Sequence, residues 1–170
     1  MQQVHRGHFD RDQSVYRFPI DQILSSLYAY EQGLVKIILG DQGSLVAKST
    51  MEVIEHEGKS IKIEGMEKMT HELQTLCDQL AEAYQHYGPV TCHLFIAPMG
   101  SESFPTHTDP DDVMLLVVDG MKHIAVAGEE IELMQGEFLF IPAGTPHRAI
   151  NRCTSRMLSI GLEKFIVDKL

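Results

Sequence analysis

Apolar residues recur at two different rhythms along this chain, and the change falls near residue 90. Upstream, Ile20, Ile23, Leu24, Leu27 and Tyr28 are spaced for one face of a helix. Phe18-Pro19-Ile20-Asp21 supplies the start signal, since proline suits a first helical position, and Gly33 ends the run. Leu34 to Leu39 predicts a strand, closed by a turn at Gly40-Asp41-Gln42-Gly43. Glu52 to Ile63 predicts a hairpin that turns at His56-Glu57-Gly58-Lys59. A second apolar stripe, Met69, Leu73, Leu76, Cys77, Leu80, Tyr84 and Tyr87, predicts a helix over 66–87 whose tyrosines pack inward. Gly88 and Pro89 stop it.

Beyond Pro89 the pattern becomes a series of short strands: Val90–Ala97, Val113–Val118, Lys122–Val126, Glu130–Leu133, Glu137–Ile141, His147–Asn151 and Ser155–Gly161. Asp119-Gly120 and Ala127-Gly128 stand where tight hairpin turns belong. Short strands at this spacing predict a sandwich or barrel. The expected fold is mainly β with some α, one domain over 1–170. Residues 1–89 would pack against a barrel formed by 90–162.

The chain has 170 residues, 44% of them hydrophobic, which suffices for a buried core. It contains no apolar run of membrane-spanning length, and Met1 to Arg6 opens with no apolar signal region. A cytoplasmic, non-membrane protein is therefore expected. Lys and Arg number 14 against 24 Asp and Glu, a net charge of −10, which disfavours nucleic acid as a partner. Cys77, Cys92 and Cys153 form no C-x-x-C pair, so neither a disulfide framework nor a zinc knuckle is expected.

Candidate chemistry enters with His107-Thr108-Asp109. Two residues apart on a strand, the imidazole and the carboxylate would face one point, a donor pair suited to a borderline divalent metal. The stretch Gly136 to Asn151 is more specific. It reads Gly-x5-Pro-x-Gly-x2-His-x3-Asn through Gly136, Pro142, Gly144, His147 and Asn151. Every fixed position of the second cupin motif is present, and the chain resembles the cupin superfamily over roughly 90–162. That resemblance implies a double-stranded β-helix (jelly-roll) barrel, with the N-terminal helices outside it. The first cupin motif is altered. His107 takes its first histidine position, Asp109 replaces the second histidine, and Val113 and Met114 stand near the usual glutamate. What remains is a two-histidine, one-carboxylate set, His107, Asp109 and His147, the ligand pattern of non-haem Fe(II) oxygenases. Nickel, zinc and manganese suit the same donors.

Gly100 to Asp109, followed by the apolar run Val113–Val118 and Gly120-Met121-Lys122, resembles the JmjC-like branch of cupins. The resemblance implies that 2-oxoglutarate is a co-substrate and that Lys122, fifteen residues after His107, binds its distal carboxylate. Only Met121 to Gln135 separates that lysine from the second motif, where the branch usually carries a long insertion. A small molecule or peptide is the expected substrate. Two alternatives stay open: a cupin dioxygenase or isomerase working without 2-oxoglutarate, and a non-catalytic metal or small-ligand binder. His123 would point away from Lys122, and among the other histidines His93 is best placed to reach a pocket. Exposed edge strands make a homodimer the expected assembly.

Overall fold

The computed structural model describes residues 3–9 and 19–164. Among the described residues ten strands and four α-helices follow in order: β1 (His5–His8), α1 (Ile20–Leu24), α2 (Leu27–Glu31), β2 (Val35–Ile38), β3 (Ser44–Val46), α3 (Thr50–Glu55), β4 (Ile61–Ile63), α4 (His71–Ala83), β5 (Val90–Ala97), β6 (Asp112–Val126), β7 (Glu129–Met134), β8 (Glu137–Ile141), β9 (His147–Ile150) and β10 (Ser155–Leu162). All pairings are antiparallel. The main sheet runs β1-β8-β6-β10-β5-β4-β2-β3, while β7 and β9 flank the far half of β6. This is the jelly-roll expected of a cupin. No helix among the described residues is long and apolar enough to cross a membrane.

β6 organises the whole. Its first half lies between β8 and β10, and its second half between β7 and β9, so one strand serves both sheets. The run Val113–Val118 is buried on both faces, which is why it reads as continuously apolar. Met114, Leu116 and Val118 pack with Leu73, Leu76 and Leu80 of α4. Val113, Leu115 and Val117 face Ile124, Leu133 and Met157 inside the barrel. The predicted hairpin at Asp119-Gly120 is therefore corrected. These residues pair with Arg156 and Ser155 of β10, and a register shift there bends β6 from one sheet into the other. Gly120 has φ +73°, and a Cβ on it would lie 2.2 Å from the Thr154 carbonyl oxygen. The turn predicted at Ala127-Gly128 does join β6 to β7, both residues having positive φ.

The N-terminal half departs further from expectation. The predicted hairpin over Glu52 to Ile63 is helix α3 followed by strand β4. Ser49 accepts a hydrogen bond from the Glu52 amide at 3.3 Å, and the Glu52 carboxylate takes the Lys48 amide at 2.6 Å. This Ser-x-x-Glu capping arrangement outweighs the alternation that suggested a strand. The helix expected from Ile20 to Gly33 is split at Ser25-Ser26, where the Ser25 hydroxyl donates to the Asp21 carbonyl at 2.7 Å. Its proposed start at Phe18 lies outside the described residues. α4 begins only at His71, capped by Thr70, and ends at Ala83, beyond which Gln85 has φ +51°. Tyr84 stacks on Phe140 at 5.1 Å as a packing residue, whereas Tyr87 is 90% exposed and not core. β4, β2 and β3 extend the main sheet beyond β5, so the N-terminal half continues the sheet as well as covering it.

Candidate metal centre

The turn between β8 and β9 carries the most specific motif, and hydrogen bonds fix it against the loop before β6. His107 and His147 exchange backbone hydrogen bonds at 3.1 and 2.9 Å, forming an isolated bridge. The Gly144 amide donates to the Asp109 carbonyl at 2.8 Å, and the Ala143 amide to the Asp112 carboxylate at 2.8 Å. Gly144 has φ +76°, which lets the turn close. His107 and Asp109 thus lie in a clamped loop. The strand expected to aim them is absent, and the turn 142–147 does that work.

The side chains converge. One ligand atom from each of His107, Asp109 and His147 lies within 4.8 Å of the others. His147 Nε2 is 3.3 Å from an Asp109 oxygen, and the two imidazole centroids are 4.5 Å apart. His107 Nδ1 is held by the Pro105 carbonyl at 2.9 Å, and His147 Nδ1 by the Thr145 carbonyl at 3.0 Å. A carbonyl only accepts, so each ring carries its proton on Nδ1 and presents the Nε2 lone pair. Metal-bound histidines are oriented in this way. His147 is buried, Asp109 half-buried and His107 exposed, so the group sits at a rim. The donor set fits a divalent metal.

Behind the rim lies a cavity of about 580 Å³, within the range of small-molecule sites. Val113, Leu115 and Met157 form apolar parts of its lining, with Phe104 and Phe95 set edge to face at a centroid distance of 6.4 Å. Lys122 also lines it and is 2% exposed. Its ammonium donates to the Asn151 side-chain carbonyl. The Asn151 amide in turn donates to the Ser60 hydroxyl at 3.2 Å and the Ser101 carbonyl at 3.0 Å. Burial pulls the Lys122 pKa down to about 8.

Residues 93–161 match the sequence model of the cupin domain. That stretch is similar to a cupin domain. No curated protein matches the sequence. Among solved structures, the ribosomal oxygenase YcfD from Escherichia coli, in complex with cobalt and succinic acid, superposes with a TM-score of 0.73 at 16% identity. The alignment covers 98% of this chain and 49% of that one. YcfD in complex with cobalt and 2-oxoglutarate gives a TM-score of 0.72 at 16% identity, with coverages of 98% and 49%. Salicylate 1,2-dioxygenase from Pseudoaminobacter salicylatoxidans, as its adduct with gentisate, aligns over 42% of this chain and 19% of its own, at 17% identity and a TM-score of 0.40. The chain spans about half the length of the YcfD structures it matches. At these identities the likeness concerns the fold, and for YcfD it extends over the N-terminal half as well as the cupin domain.

The structure places the other singled-out residues as follows. His123 faces away from the cupin cavity, with Nε2 3.3 Å from Glu132. His93 lines the cavity. Cys153 is beside Met121, its sulfur 4.0 Å from that of the methionine, and is not among the cavity lining. Sequence reasoning gave no role to Asn151, Ser60 or Lys62. Asn151 was visible as the last fixed position of the motif. Ser60 and Lys62 arrive through β4 and carried no local signal.

Proposed function

We propose that this cupin is an Fe(II)-dependent oxygenase using 2-oxoglutarate, acting on a small molecule or peptide. The observation that carries this reading is a two-histidine, one-carboxylate group sharing one cavity with a buried lysine. His107, Asp109 and His147 would hold the metal through Nε2, a carboxylate oxygen and Nε2. When bound, iron supplies the redox chemistry that couples O₂ reduction to decarboxylation of the 2-oxoacid. The protein's own residues do the rest. The Pro105 and Thr145 carbonyls keep both rings in one tautomer. Lys122 would meet the distal carboxylate in a low-dielectric interior, where a single ion pair is strong. Val113, Leu115 and Met157 keep water from the reacting end. A protein of the same fold held with cobalt and 2-oxoglutarate supports the assignment. Ferrous iron and the free thiols of Cys77, Cys92 and Cys153 both suit a reducing, cytoplasmic setting. We take the chain to act as one domain, with a homodimer as the assembly to test.

Anaerobic titration of the iron-loaded protein with 2-oxoglutarate tests the proposal. A visible charge-transfer band that Lys122→Met abolishes is expected. Iron binding without any such band would favour a cupin dioxygenase or isomerase, a reading that the existing Lys122–Asn151 contact also accommodates. A tight metabolite with no O₂ uptake across a substrate panel would favour a non-catalytic binder.

A further inference from the structure

The inner face of the main sheet carries a polar strip that the metal and the co-substrate leave unused. Strand pairing sets Lys62 of β4 beside Phe95 of β5, and His93 of β5 beside Ser159 of β10. These four residues line the same cavity as the metal group. They point away from the α4 layer, since their neighbours Ile63, Cys92 and Leu94 belong to that core. Val117, Ile124, Leu133 and Leu139 make the adjoining barrel interior apolar, and the buried polar side chains Lys122, Asn151 and Ser60 bond one another. Lys62, His93 and Ser159 line the same cavity outside that bonded group.

Charge gives the strip a sign. Lys62 and Lys36 both bond one oxygen of Glu64, each at 2.9 Å. Two ammonium groups on one carboxylate leave a surplus of one positive charge. Burial alone would raise the Glu64 pKa, but its hydrogen bonds with the two lysines outweigh that and hold the carboxyl low. Lys62 keeps N–H donors beyond the one given to Glu64. The buried Nδ1 of His93 has no hydrogen-bond partner among the described residues. Burial, then the neighbouring Lys62 ammonium, pull the His93 pKa down to about 4, so its ring is neutral and offers one donor and one acceptor. A buried polar atom without a partner is rare, and the remainder of the half-buried His93 ring faces the cavity.

We propose that Lys62 and His93 form the subsite for the primary substrate, and that this substrate is a small organic acid whose carboxylate Lys62 binds and His93 orients by hydrogen bonding. The assignment rests on the oxygenase reading for what becomes of the acid, but not for its binding. A cavity of about 580 Å³ has room for a second small molecule beside a five-carbon diacid. Lys62 and His93 are positioning residues, and Lys122 remains with the co-substrate.

Calorimetric titration of the zinc-loaded full chain, with and without saturating N-oxalylglycine, tests the subsite. Three acids are compared with their amides: benzoate with benzamide, hexanoate with hexanamide, and leucine with leucinamide. The expected result is that at least one acid binds about tenfold tighter than its amide. Lys62→Met should remove that preference, and Lys62→Arg should keep it. His93→Phe should weaken the acid about fivefold, the loss of one hydrogen bond. N-oxalylglycine affinity should stay within about twofold in all three variants. Lys36 still pairs with Glu64 in Lys62→Met, so the fold has no unpaired carboxylate to accommodate. Equal binding of acids and amides, or no binding by any pair, would overturn the proposal. So would a Lys62→Met variant that loses N-oxalylglycine as well, because Lys62 would then belong to the co-substrate site. If N-oxalylglycine fails to bind the parent chain while acids still bind through Lys62, the oxygenase reading falls and this subsite stands.

Discussion

His147 and Lys122 line one cavity, yet their surroundings follow different rules. At the rim, the Nδ1 atoms of His107 and His147 are held by carbonyls two residues upstream, while the Nε2 atoms and the Asp109 carboxylate face one another. In the interior, Lys122 is bonded to Asn151, and Asn151 to Ser60 and Ser101. The rim gathers donor atoms whose demand is met from outside. The interior meets its own demand, as a buried charge must. Changes at the rim should therefore alter ligand binding before stability, and changes in the interior should alter stability first.

The largest effect is expected at the rim. His147→Ala or His107→Ala should lower metal affinity by about 100-fold or more, with circular dichroism and melting temperature nearly unchanged. Unchanged metal content by elemental analysis would break the comparison at once. Next, Asn151→Leu should cost about 3 kcal/mol in urea unfolding, because the Lys122 ammonium would be left buried without its partner. Little loss of stability there would mean that the interior network is not what holds Lys122.

Backbone substitutions sharpen the same contrast. Gly120→Ala, whose Cβ would meet the Thr154 carbonyl at 2.2 Å, should cost about 2–4 kcal/mol. Gly144→Ala has the same positive φ but open space around its Cβ, and should cost about 1 kcal/mol. Equal costs would show that the bend in β6 is softer than its contacts suggest.

A further effect is read through pH. The folded-state pKa of Lys122 is about 8, below its ordinary 10.5, so the unfolded chain binds more protons between those values. Stability should therefore rise with pH across that window, by about 1–3 kcal/mol from this group. Lys122→Met should lack that increment in matched unfolding curves.

What the sequence determined by itself was local and periodic. The spacing from Gly136 to Asn151 defines a turn of fixed length, and its histidine and asparagine keep their places because few bonds separate them. The doubly buried run Val113–Val118 was legible because a central strand has no solvent face. The identities of His107, Asp109 and His147 were likewise readable as a metal-type donor set. Tertiary structure decided the rest. Asp119-Gly120 looks like a hairpin turn, but pairing with β10 keeps the strand going and redirects it. The loop holding His107 and Asp109 has no strand rhythm, and backbone bonds from a turn some forty residues away set its conformation. Lys62 and His93 share a cavity floor only because β4 joins β5 in one register. Such register is fixed by long-range hydrogen bonds and by burial of one face, and neither leaves a trace in the residues beside it.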